Sequence, residues 1–196
     1  MAALGRMEEA VFIMKKLLLV VDFQKDFVDG SLGFPGAERL DGGIAEKIEA
    51  FHAAGEDVVF TFDTHGSHYM DTQEGHKLPV PHCIEDTEGW TLYGKTGQAR
   101  RADDLCFVKS TFPCLELAEW LCMQDYHEVE LVGLVSYICV IANAVMVKSA
   151  LPEAEVVVDA ACTAGPDPEL HAKCLDVLEG MQVTVRNRPA EEERMA

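Results

Sequence analysis

The sequence predicts an α/β fold, a parallel sheet covered by helices on both faces. Two observations carry that expectation. Short apolar runs of strand length alternate with segments of helical periodicity along most of the chain. The first of these runs is continuously apolar, as in strands buried on both faces of a parallel sheet. Strict βα alternation connects parallel neighbours through right-handed crossovers, with helices on both sides.

The elements follow in order. "KLLLVVDF" (Lys16 to Phe23) is apolar until its polar end and reads as the first strand. "GIAEKIEAFHAAG" (Gly43 to Gly55) has apolar residues near helical spacing and ends on a glycine suited to a C′ cap. "DVVFTFD" (Asp57 to Asp63) is the second strand. Residues Thr64 to Arg101 form a long irregular stretch, and loops of such length in compact domains are usually functional. "DLCFVK" (Asp104 to Lys109) is the third strand, "LELAEWLCMQ" (Leu115 to Gln124) an amphipathic helix, and "EVELVGL" (Glu128 to Leu134) the fourth strand. "CVIANAVMVKSAL" (Cys139 to Leu151) is a mostly apolar helix suited to burial. "EVVVDAA" (Glu155 to Ala161) and "QVTVRN" (Gln182 to Asn187) are further strands, with a helix between Pro168 and Gly180.

The 196 residues fit one large domain over residues 1–196, with an extension over 1–14 and an acidic tail over 190–196. Apolar residues make up 48% of the chain, enough for a substantial core. A formal charge of -18 repels nucleic acid and anionic membrane, so neither is expected as a partner. No apolar run approaches the length of a membrane span, and the N-terminus lacks the pattern of a secretory signal. The seven cysteines are odd in number, scattered and without a CxxC pair, so reduced thiols in a cytoplasmic protein are expected.

In open α/β sheets, ligands bind beyond the carboxyl ends of the strands at a topological switch point. Asp22 lies at the end of the first strand, Asp63 and His65 at the end of the second, and Lys109 at the end of the third. Residues Val135 to Cys139 follow the fourth. Singly, each has a bland reading: a capping aspartate, a solvated lysine, a buried structural thiol. Together they have a chemical logic. Cys139 opens the predicted apolar helix, where unpaired N–H groups and the helix dipole favour a thiolate. A thiol nucleophile needs a base to take its proton and return it to a leaving group, and a lysine stabilises the anions.

The stretches "LLLVVDFQKDF", "VKSTF" and "GLVSYICV" resemble three motifs of the isochorismatase-like cysteine hydrolases, most closely the nicotinamidases. The likeness extends from about Leu17 to Val185. It implies a six-stranded parallel sheet flanked by helices in three layers. It also implies an Asp–Lys–Cys triad at Asp22, Lys109 and Cys139, and hydrolysis of a small amide through a thioester. The oxyanion hole would use the N–H groups of Val135 and Cys139, with the Leu134–Val135 peptide cis. Phe27 resembles an aromatic that packs on the substrate ring. Phe112 is a second candidate wall, and Trp90 and Tyr137 are rim candidates. Tyr137 stands where the family often has aspartate, and Ser136 where it has threonine, so reaction type is better specified than substrate. Relatives often form homo-oligomers. Two rivals remain: the same triad acting on a ureido, carbamoyl or other small amide, and a non-catalytic metal-binding or scaffold protein.

"DTHGSHYMDTQEGHKLPVPHC" (Asp63 to Cys83) holds four histidines. Asp63, His65 and His82 form a two-imidazole, one-carboxylate set that leaves open positions, a common arrangement for a catalytic metal. A fourth ligand would come from His68, Asp71, Glu74 or His76, and the resemblance selects Glu74. Zinc is the expected metal, with iron or manganese compatible with the same donors.

Overall fold

The computed structural model describes residues 15–188; the expected N-terminal extension and C-terminal tail lie outside the described residues. The elements run β1 (Lys16–Val21), α1 (Lys25–Val28), α2 (Leu40–Ala54), β2 (Asp57–Asp63), α3 (Gln73–Lys77), α4 (Gly94–Ala99) and β3 (Leu105–Lys109). They continue α5 (Leu115–Leu121), β4 (Glu128–Leu134), α6 (Ile141–Ala150), β5 (Glu155–Ala164), α7 (Pro168–Gly180) and β6 (Thr184–Arg186). The six strands form one sheet in the order β3-β2-β1-β4-β5-β6. All pairings are parallel. The chain builds outward from β1 to β3, then returns to lay β4 on the other side of β1. The gap between the ends of β1 and β4 is therefore the switch point.

The period-2 alternation of strands divides the core. Leu17, Leu19 and Val21 point to one face, where Leu117, Leu121, Val147 and Leu178 of α5, α6 and α7 cover them. Leu18 and Val20 point to the other, against Ile44 and Ile48 of α2 and Phe60 of β2. Each such aliphatic side chain contributes about 1.5–3 kcal/mol on leaving water. Gly55 ends α2 in the left-handed region (φ 74°) as the C′ glycine pattern requires. The Glu56 N–H bonds back to the Phe51 carbonyl at 3.0 Å. Gly133 (φ 110°) permits a close approach at the switch point, because a Cβ there would sit 2.0 Å from the Val21 carbonyl oxygen.

Several boundaries differ from the sequence reading. The chain does not enter α6 at Cys139: residues Ser136–Val140 form a π turn and the α-helix begins at Ile141. β5 runs three residues further than expected, to Ala164, across a register shift against β4. α5 is shorter than its pattern, and β6 is confined to Thr184–Arg186. The stretch from Thr64 to Arg101 holds the short helices α3 and α4 rather than being irregular throughout. All seven cysteines are free. Among the described residues no helix is long and apolar enough to cross a membrane.

Candidate active site

Asp22 is the first residue beyond β1 and is fully buried. Its φ of 46° turns the chain sharply off the sheet. The Thr61 hydroxyl of neighbouring β2 donates to Oδ1 at 2.7 Å. Lys109, the last residue of β3, places its Nζ 2.7 Å from Asp22 Oδ2. The same Nζ lies 3.3 Å from Asp63 Oδ1 and 3.7 Å from Cys139 Sγ, and donates to the Thr111 carbonyl at 3.0 Å. A carboxylate, an ammonium and a thiol separated by more than a hundred positions of sequence thus meet at one end of the sheet.

The electrostatics follow from burial. Desolvation raises the Asp22 carboxyl above the usual carboxylate range, and the Lys109 cation opposes that rise. Burial, then the Asp22 charge, pushes the Cys139 thiol well above its ordinary value, with Lys109 again opposing. Burial alone would lower Lys109, but Asp22, Cys139 and Asp63 outweigh it and hold the ammonium protonated. Burial thus works against the thiolate expected from a helix N-terminus, because Cys139 sits inside a buried π turn against a carboxylate.

Cys139 opens on a cavity of about 250 Å³ whose walls include Phe27, Phe112, Val135, His82 and Asp63. The Leu134–Val135 peptide is cis. Phe27 and Phe112 both line this cavity, whereas Tyr137 does not. The Tyr137 hydroxyl instead accepts the Asp167 N–H at 3.2 Å, and its ring occupies the space beside Gly165.

The second cluster adjoins the first through Asp63. Asp63 Oδ2 lies 3.0 Å from His65 Nε2 and 3.3 Å from His82 Nε2. Glu74 Oε1 faces the same two nitrogens at 3.9 and 3.7 Å. One donor atom from each of Asp63, His65 and His82 falls within 4.8 Å of the others, all three residues being buried. His82 Nδ1 bonds the Val80 carbonyl at 2.9 Å, which directs its Nε2 at the cluster, as an outer-shell partner fixes a metal-binding imidazole. Tyr69 packs edge-on against both imidazoles. Burial opposes ionisation of Asp63, but hydrogen bonds from His65 and His82 and the Lys109 charge hold its carboxyl well below the usual range. Two imidazole nitrogens and one or two carboxylate oxygens suit a divalent metal. His68 and Asp71 are almost fully exposed, and His76 is exposed as well.

Sequence reasoning missed two buried amides. Gln24 brackets Asp63: its Nε2 donates to the Asp63 carbonyl at 2.9 Å and the Trp90 carbonyl at 2.8 Å, and its Oε1 accepts the Asp63 N–H at 2.8 Å. Asn143 donates to the Cys139 carbonyl at 2.8 Å and the Phe112 carbonyl at 3.1 Å, and accepts the Cys114 N–H at 3.0 Å. The available signal was a lone asparagine inside the apolar run "CVIANAVMV", since a buried amide demands partners.

Comparison with known proteins converges on one family. The isochorismatase domain family matches residues 16–189. An uncharacterized isochorismatase family protein of Bacillus subtilis, PncA, is 31% identical over 144 residues, covering 67% of this chain and 78% of that protein. The crystal structure of the nicotinamidase/pyrazinamidase PncA from Bacillus subtilis superposes with a TM-score of 0.78 at 28% identity, covering 88% of this chain and 99% of that one. The N-carbamoylsarcosine amidase from Thermoplasma acidophilum gives a TM-score of 0.74 at 26% identity, covering 91% and 99%.

Proposed function

The chain belongs to the isochorismatase family, and from that membership we propose that it is a cysteine amidohydrolase whose substrate is nicotinamide. The products would be nicotinate and ammonia. The observation that carries this reading is the placement of Lys109 Nζ between Asp22, at 2.7 Å, and Cys139, at 3.7 Å, with Cys139 itself lining a small cavity.

In this reading the aromatic ring lies between Phe27 and Phe112, with the carboxamide carbon against Cys139 Sγ. Asp22 takes the thiol proton as sulfur attacks; its raised pKa makes it a stronger base than an ordinary carboxylate. The carbonyl π electrons move to oxygen, and the N–H groups of Val135 and Cys139 receive the oxyanion, each such donor being worth about 3 kcal/mol. Asp22 returns the proton to the departing nitrogen as the C–N bond breaks, leaving a thioester and ammonia. It then takes a proton from the water that attacks the thioester carbon, and returns it to the Cys139 sulfur as the C–S bond breaks and the acid leaves. Lys109 neutralises the charge that moves between Asp22 and sulfur. Asp63, His65 and His82, with Glu74 facing them, would hold a divalent metal, zinc first and iron or manganese as alternatives. Such an ion, when bound, offers a Lewis-acidic position to a ring nitrogen.

The likeness to N-carbamoylsarcosine amidase, with Tyr137 set away from the cavity, supports a second reading: a ureido or carbamoyl substrate on the same triad. Ammonia release from nicotinamide and from a panel of small amides, with metal analysis of the same preparation, separates the two. Cys139→Ala should abolish turnover with its thermal unfolding unchanged. Retained turnover would remove the mechanism.

A further inference from the structure

A second and larger cavity, about 510 Å³, lies behind the reaction site on the opposite face of the sheet. Its position follows from strand alternation. Asp63 and Lys109 are register partners across β2 and β3, as are their predecessors Phe62 and Val108. Asp63 and Lys109 turn toward the triad; Phe62 and Val108 line the second cavity. Cys139 does not border it.

The walls have a definite chemistry. The Trp90 ring lies 5.4 Å from the Phe62 ring, tilted by 43°. Trp90 is held at both ends: its Nε1–H donates to Thr64 Oγ1 at 2.8 Å, and its carbonyl accepts from Gln24 at 2.8 Å. Leu92 and Val108 extend the apolar surface. Arg100 and Gln98 also line the cavity. Arg100 makes no ion pair among the described residues, and the Cys106 thiol is the titratable group it perturbs. Its guanidinium stands beside the aromatic wall with the Cys106 thiol, not a carboxylate, as its neighbour.

We propose that this cavity is a binding site for a planar aromatic carboxylate. The ring would lie against Trp90 and Phe62, and Arg100 would take the carboxylate in a forked, charge-assisted contact. The volume is that of a small-molecule site. A fixed indole gives the ring a preorganised surface, which lowers the cost of binding.

The test uses the full chain carrying Trp120→Phe, which leaves Trp90 as its one indole. Benzoate is titrated while Trp90 fluorescence is read; cyclohexanecarboxylate and benzyl alcohol serve as the non-aromatic and uncharged controls. Calorimetric titration of the unmodified chain repeats the measurement independently of the Trp120 change. Benzoate should give a saturable change with a Kd on the order of 1 mM, modest as befits so small a ligand. Both controls should bind more weakly. Arg100→Gln should weaken benzoate about tenfold through loss of the charged contact, and Phe27→Leu, which alters only the reaction cavity, should leave it unchanged. Absence of saturation, wild-type affinity in Arg100→Gln, or equal affinity for cyclohexanecarboxylate would overturn the proposal. Weakening by Phe27→Leu would place benzoate in the reaction cavity and overturn it as well.

Discussion

Replacing Lys109 by methionine keeps most of the length of the side chain and removes its charge. Three acidic groups then lose their shared cation: Asp22 at 2.7 Å, Asp63 at 3.3 Å and Cys139 at 3.7 Å. At an effective dielectric constant of about 20, charge pairs at the two shorter distances are worth about 6 and about 5 kcal/mol before desolvation. Releasing Lys109 from its own burial offsets much of that sum. Removing one partner of a buried pair costs about 3–5 kcal/mol in practice, which is the loss expected here in urea unfolding at neutral pH. The kinetic consequence has a definite sign. Burial raises the Asp22 pKa and Lys109 is the largest influence opposing it, so the variant's Asp22 titrates higher still. A smaller share of it is basic at any given pH, and Cys139 loses the cation that favours its thiolate. Ammonia release should fall at least about 100-fold at pH 7, and the residual kcat/KM should climb with pH along an acidic limb displaced upward. A variant with wild-type stability and an undisplaced acidic limb would refute the reasoning.

Alkylation of Cys139 by iodoacetamide, mapped by mass spectrometry, should stay slow through pH 9 and accelerate only above it, well after the exposed Cys106 and Cys122. Because its folded pKa lies above the unfolded value of 9.0, the buried thiol contributes stability that is present below that value and is lost as pH rises through the folded pKa. A Cys139 that alkylates faster than Cys122 at pH 8 would contradict the upward shift of its thiol. Gln24→Ala leaves the Asp63 N–H and two carbonyls without their partner. It should cost at least about 3 kcal/mol in thermal unfolding, at roughly 1–3 kcal/mol for each of the three orphaned groups, whereas a change within measurement error would show that water replaces the amide. His82→Gln should lower the bound-metal content measured by elemental analysis and weaken metal affinity at least about tenfold; undiminished content would move the ion elsewhere.

How much of this was legible in the sequence depended on whether a feature is local. β1, β2 and β4 are visible because strands buried on both faces must be apolar at nearly every position, as in "LLLVV" (residues 17–21). The polar residues at the ends of β1 and β2, Asp22 and Asp63, stand out for the same reason: a charge ending such a run has to face something. The loop from Asp63 to His82 is visible because ligand-type side chains crowd into few positions. The π turn is not visible, since "SYICV" satisfies an α-helical pattern equally well, and the elements packed against it, β4, β5, α6 and α7, are distant in sequence or meet it only in the fold. Tyr137 was expected at the substrate rim, but adjacent residues of a turn point to different sides. Its neighbour Ile138 faces the cavity, while the Tyr137 hydroxyl bonds the Asp167 N–H ahead of α7. Burial opposes the expected thiolate, and burial is a quantity that position along a helix does not report.

The two amides that escaped notice explain why the site holds its shape. The triad and the ligand cluster are joined by the contact of Lys109 with Asp63, so any shift of β2 against β3 changes both at once. Charged groups alone fix such an arrangement poorly, because Coulomb attraction depends weakly on direction. Amide hydrogen bonds are directional and neutral, and they add no further charge to a centre already holding Asp22, Asp63, Lys109 and Cys139. Gln24 fastens the backbone of Asp63 to the segment leaving β1 and to Trp90. Asn143 fastens the carbonyl of Cys139 to the loop that carries Phe112. One amide thus sets the position of the acidic groups, and the other sets the position of sulfur relative to the wall of the cavity. Proton transfer between Asp22 and Cys139 depends on donor–acceptor separation within a few tenths of an ångström. Neutral clamps of this kind supply that tolerance at the switch point, where two strands have ended and the ladder no longer holds the backbone.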